Sequence, residues 1–164
     1  KTDSGYDDIT GYPSLTFSGE SATSPFKDIS AIADVKATFD QVTGLHTDSG
    51  RMFRLYNAAF ARFPDAGGLE YWIDHFSSGS ISDKSVAQSF IISKEFGETY
   101  GTNVSNETYL ENLYINVLGR DYDPGGFKFW LGQLNNGRER NQLLLDFAES
   151  PENKGLFAEM TGFG

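Results

Sequence analysis

Apolar positions recur at three- and four-residue spacing through most of this chain, and the pattern is written twice. Met52, Leu55, Tyr56, Ala59 and Phe60 fall on one helical stripe, and so do Leu69, Trp72, Ile73 and Phe76. Val86, Ala87, Phe90 and Ile91 form a third stripe, and Phe96 with Tyr100 a short fourth. The same order returns with Tyr109, Leu110, Leu113, Tyr114, Val117 and Leu118, then Phe127, Trp130, Leu131 and Leu134. Leu143, Leu144, Phe147 and Ala148 follow, and Leu156 with Phe157 closes the series. Helix starts are punctuated by residues whose side chains can take an orphan backbone amide: Asp65, Ser82, Ser93, Ser105, Asp123 and Ser150. Pro124 and Pro151 sit at first helical positions, where a missing N–H costs nothing. Gly101 closes the fourth helix of the first set.

The repetition extends to residue identity. Arg62-Phe63-Pro64-Asp65-Ala66-Gly67-Gly68-Leu69-Glu70-Tyr71-Trp72 returns as Arg120-Asp121-Tyr122-Asp123-Pro124-Gly125-Gly126-Phe127-Lys128-Phe129-Trp130. Ser93-Lys94-Glu95 likewise returns as Ser150-Pro151-Glu152. A repeat of this length predicts one helical unit used twice, each copy burying its apolar side partly against the other. The expected fold is mainly α: two tandem repeats of about four helices, residues 48–101 and 105–162, forming one compact bundle within a helical domain 27–164. Residues 27–43 hold an ambiguous further helix with Ile29, Ile32, Val35 and Phe39 on one side. Residues 1–26 are rich in Ser, Thr, Gly and Asp and read as an extended N-terminal arm.

The recurring Asp, Gly, Gly and Trp have a structural explanation. Asp65 and Asp123 can accept from amides two and three residues on, those of Gly67, Gly68, Gly125 and Gly126. Glycine costs about 1 kcal/mol relative to alanine in a helix. Two in a first turn therefore imply that a ring or neighbouring helix approaches closely, with Trp72 and Trp130 the obvious partners. Arg62 and Arg120 stand three residues before the aspartates, as a fork pinning the turn would. An anion or metal site at these helix starts is the alternative, and a capping carboxylate opposes an anion.

Composition narrows the partners. The 164 residues carry a net charge of −10, with 14 Phe, 8 Tyr and no cysteine. Such acidity repels phosphate backbones and anionic membrane surfaces, so nucleic acid is not expected as a partner. Membrane insertion is not expected because no apolar run approaches the roughly 20 residues needed to span a bilayer. No disulfide or thiolate site can exist without cysteine. Gly5-Tyr6-Asp7-Asp8-Ile9-Thr10-Gly11 fits half of a calcium-repeat pattern, with Asp3, Asp7 and Asp8 as the metal-ligand candidates. No cofactor is certain, and calcium is the one candidate. His46 and His75 lack a metal-ligand neighbour at helical spacing. Asn103-Val104-Ser105 and Asn106-Glu107-Thr108 match the glycosylation sequon, though Ser105 serves as a helix cap. Acid pairs such as Asp7-Asp8 or Glu149 with Glu152 could imitate a hydrolase site, and among 23 acids such pairs arise by chance. The start lacks an initiator Met and reads as an excised fragment.

The doubled motif resembles a bacterial domain-of-unknown-function family with the pattern Leu-Tyr…Gly-Arg-x-Pro-Asp-x-x-Gly-Leu-x-Tyr-Trp. Here the positions are Leu55, Tyr56, Arg62, Pro64, Asp65, Gly68, Leu69, Tyr71 and Trp72, then Leu113, Tyr114, Gly119, Arg120, Asp123, Gly126, Phe129 and Trp130. Ala61 replaces the motif glycine of the first copy and Tyr122 the proline of the second. The resemblance covers about residues 48–162. It implies a part of a large secreted or cell-surface protein beside calcium-binding glycine-aspartate repeats, and a distant likeness to phycobilisome linker domains, which bind proteins. The expected function is a non-catalytic module mediating protein interaction, adhesion or assembly, its partner another protein or a cell-surface or matrix component. The alternatives are a carbohydrate-binding module, calcium-assisted, and a small hydrolase using an acid pair.

Overall fold

The computed structural model describes residues 47–64, 68, 71, 72, 75 and 81–161. Seven helices occur among them, and no strand. They are α1 (Asp48–Phe60), α2 (Asp83–Ile91), α3 (Lys94–Tyr100), α4 (Asn106–Leu118), α5 (Pro124–Asn135), α6 (Arg140–Ala148) and α7 (Pro151–Thr161). Gly68, Tyr71, Trp72 and His75 are also helical, in the stretch where the sequence places the second helix of the first repeat. The arm 1–26, the helix expected in 27–43, Asp3, Asp7, Asp8, His46, Asp65 and Gly67 lie outside the described residues.

The caps explain the element boundaries. Ser82, Ser93, Ser105 and Asp123 each accept from the amide three residues on, as does Thr47 ahead of α1. Ser150 Oγ does the same for Asn153, at 3.1 Å. Five of these six caps stand at the serines and the aspartate that the sequence marked. The sixth, Thr47, lies just before the expected start at Asp48.

α1 and α4 occupy the same slot and end alike, with a residue in the left-handed region. In α4 it is Gly119, φ 64°, and in α1 it is Ala61, φ 51°. A Cβ there is strained, and glycine is the residue that relieves it. Ala61→Gly is therefore expected to stabilise the domain by about 0.5–1 kcal/mol, read from the midpoint of urea unfolding.

The inward stripes meet as expected, with Leu55, Tyr56, Val86, Phe90, Leu113, Tyr114, Leu143, Leu144 and Phe147 all buried. Leu156 departs from expectation: it is exposed, while its neighbour Phe157 is buried. α7 turns Asn153 inward with Phe157, a spacing of four that leaves Leu156 on the solvent side. The copies are packed into each other. α6 of the second repeat lies against α1 and α2 of the first, so third helix meets third helix, and α1 lies against α4, first against first. Arg54 on α1 is fully buried and donates from Nε and Nη2 to both carboxylate oxygens of Glu149, just beyond α6, at 2.8 and 3.0 Å. Lys154 meets the same carboxylate at 3.0 Å. Lys84 on α2 pairs with Glu139 ahead of α6. Tyr100 donates its hydroxyl to the Ala58 carbonyl at 2.6 Å, and Asn112 returns the link to the Tyr100 carbonyl at 2.9 Å.

Candidate functional site

The repeated residues converge in space. In the second repeat, Arg120 leaves the end of α4 and reaches across to the first turn of α7. Its Nε and Nη2 donate to Glu152 Oε1 and Oε2 at 2.5 and 2.9 Å. Its Nη1 donates to the adjacent Asp121 carbonyl, and its guanidinium lies 5.2 Å from the Tyr114 ring centre. The first repeat builds the same object. Arg62 grips Glu95 at 2.5 and 3.0 Å, donates to the Phe63 carbonyl, and lies 5.7 Å from the Tyr56 ring centre. A planar fork on a carboxylate is the geometry that arginine uniquely offers.

The expected fork from Arg120 to Asp123 is reduced to one 3.8 Å contact. Asp123 is otherwise occupied: Oδ1 accepts the Gly126 amide at 2.7 Å and so caps α5. The glutamate two residues past each cap serine, Glu95 after Ser93 and Glu152 after Ser150, was visible as a repeated letter. Its role as the arginine's partner was missed, because a bond spanning about half a repeat leaves no local spacing signal. The arginine holds the Glu152 carboxyl below the usual carboxylate range.

Each copy also centres on one phenylalanine. Phe90 meets Tyr56 edge-on at 4.7 Å and Trp72 at 5.3 Å between ring centres. Phe147 meets Tyr114 edge-on at 5.2 Å and Trp130 at 5.9 Å. Tilted and edge-to-face pairs of this kind add stability beyond the area they bury. Trp72 and Trp130 are half-buried against the core, and neither stands free in solvent.

Gly125 and Gly126 separate on inspection. A Cβ on Gly126 would lie 2.6 Å from the Tyr114 hydroxyl and 2.8 Å from Asp123 Oδ2. The ring that demands this glycine is thus Tyr114, not the tryptophan. A Cβ on Gly125 would meet only Asp123 Oδ1, at an ordinary 3.5 Å. Gly126→Ala is expected to destabilise by about 1–3 kcal/mol through overpacking. Gly125→Ala is expected to stabilise by up to about 1 kcal/mol through helix propensity. Thermal unfolding of the two variants side by side checks the contrast.

These residues line a groove of about 240 Å³ in the second repeat, bounded by Tyr114, Arg120, Asp123, Gly126, Trp130 and Glu152, with Asp146, Phe147 and Ser150. A second hollow of about 350 Å³ runs between the copies, past Ile92, Phe96, Tyr100, Tyr109 and Arg140. In it Tyr109 donates to the Arg140 carbonyl at 2.8 Å and Arg140 to the Val104 carbonyl at 2.7 Å. Burial pushes the Tyr109 hydroxyl well above its ordinary pKa. Glu149 and Glu152, the acid pair of the hydrolase reading, are each held by cations, Glu149 by Arg54 and Lys154, Glu152 by Arg120. No group of three or more metal-ligating side chains occurs among the described residues. No helix among them is long and apolar enough to cross a membrane. Asn103 is exposed in a turn, whereas Asn106 is engaged with Asn135 and Arg140.

Residues 87–157, from within α2 to within α7, match a family described as a domain of unknown function (DUF4214). The matched stretch contains the whole second copy of the Arg-to-Trp motif and leaves out the first. No curated protein and no solved structure matches the chain.

Proposed function

We propose that this domain is a non-catalytic module of a secreted or cell-surface bacterial protein, mediating protein interaction, adhesion or assembly. The observation that carries the reading is how the repeated side chains are employed. Arg62 and Arg120 clamp glutamates, Asp123 caps a helix, and Trp72 and Trp130 wall the two phenylalanine hubs. The duplication is thereby accounted for by folding, and such a duplicated scaffold offers surface for recognition. The net charge of −10 favours partners other than nucleic acid.

The test has two parts. Antibodies raised against the domain are expected to label intact, unpermeabilised cells of the source bacterium. Deleting residues 48–162 from the parent protein is expected to reduce attachment of those cells to surfaces or to each other. Labelling only after permeabilisation, or attachment unchanged by the deletion, would overturn the reading. A carbohydrate-binding module is the second reading. One observation favours it: the groove of the second repeat combines an aromatic wall with carboxylate and hydroxyl groups. Calcium assistance, through Asp3, Asp7 and Asp8, belongs to that reading, and chelation is its check.

A further inference from the structure

The groove of the second repeat holds one polar group that the fold leaves unused. Tyr114 is buried, 3% exposed, and its ring is fixed by Phe147 and by the Arg120 guanidinium. Its hydroxyl lines the groove beside Gly126 and has no hydrogen-bond partner among the described residues. No buried side-chain oxygen or nitrogen is left unsatisfied among the described residues, so this hydroxyl is reached from the groove, where water or a bound group meets it.

The chemistry of that group follows from its neighbours. Burial and the nearby Asp123 and Glu152 charges raise the Tyr114 pKa, with Arg120 opposing, so the hydroxyl keeps its proton and offers a donor. Asp123 Oδ1 is taken by the Gly126 amide, while Oδ2 has only the 3.8 Å contact to Arg120 and can still accept. Asp146 is held by Arg138, and Asp123 with Glu152 still outnumbers Arg120 on the rim, which disfavours an anion. An ammonium or guanidinium donates but cannot accept from Tyr114. An alcohol does both, accepting from Tyr114 and donating to Asp123. Trp130 and Phe147 offer an apolar wall for C–H groups. At about 240 Å³ the space lies below the roughly 300–1,000 Å³ of sites for drug-sized ligands, which suits one ring and not a chain.

We infer that this groove binds a single neutral sugar unit, with Tyr114 and Asp123 holding one of its hydroxyls and Trp130 lining its carbon face. The inference rests on the reading of the domain as a binding module and names the ligand class of its second form.

The experiment titrates the whole chain with methyl glycosides of glucose, galactose and mannose, one at a time to 100 mM, and follows ¹H–¹⁵N spectra. The expected result is a saturable shift of the Trp130 indole and Gly126 amide signals for at least one glycoside. Tyr114→Phe removes only the open hydroxyl, so its melting temperature should match the parent, and its affinity should fall roughly tenfold. Absence of saturable shifts with all three glycosides would overturn the inference. So would equal affinity in Tyr114→Phe, or saturation at Trp130 by methylguanidinium in place of any sugar. Failure here with attachment still dependent on the domain would remove the sugar site and leave the interaction module standing.

Discussion

Glu149→Gln is expected to lower stability by on the order of 3 kcal/mol, because it strips counter-charge from a guanidinium sealed inside the bundle. Arg54 is 0% exposed and meets both oxygens of Glu149. Water cannot replace what the carboxylate supplies. Arg54→Ala should cost a comparable amount for a different reason. Lys154 still neutralises Glu149, but the buried stem leaves a cavity. Replacing both partners together, as Arg54→Met with Glu149→Leu, should recover much of the loss, since an apolar pair of similar volume removes the desolvation cost. Urea unfolding of the four proteins gives the coupling directly. Single variants costing less than about 1 kcal/mol would show that the clamp contributes little to holding the copies together.

Phe147→Ala and Phe90→Ala carry the other large effect, about 3–5 kcal/mol each. Each phenylalanine is the hub on which a tyrosine and a tryptophan of its own copy rest. Its loss leaves a cavity under two rings at once. Phe147→Ala should change the emission of Trp130 and Phe90→Ala that of Trp72, so fluorescence of single-tryptophan backgrounds distinguishes the two copies. Equal emission changes from both variants in one background would contradict the separate hubs.

The helices were readable in the sequence because their causes are local. Serine and aspartate caps and three-four stripes act within a turn, and the structure starts α2 to α5 and α7 where those letters stand. The arginine's partner was not readable. Arg120 and Glu152 are brought together by the whole path of α5 and α6, and nothing near Arg120 in sequence favours Glu152 over Asp123. The reason for Gly126 was half legible: a close approach was expected, but the approaching atom is the Tyr114 hydroxyl. Leu156 was misplaced because a short helix against one edge of the core has room for only one inward row, and Asn153 with Phe157 fills it. The groove was the least legible feature, since its walls come from four helices and the loops that join them.

The packing of like helix on like helix is symmetric only in part. A patch that meets its own copy is the mark of an isologous contact, the kind that closes a two-fold homodimer. Here α2 lies on α6 and α1 on α4, each the counterpart of the other. The match stops there: α1 also lies along α6, while α4 makes no comparable contact with α2, so the two copies are packed unequally. Arg54, whose counterpart is Asn112, bonds Glu149 at the end of that one-sided contact, so the polar tie between the copies is as lopsided as the packing around it.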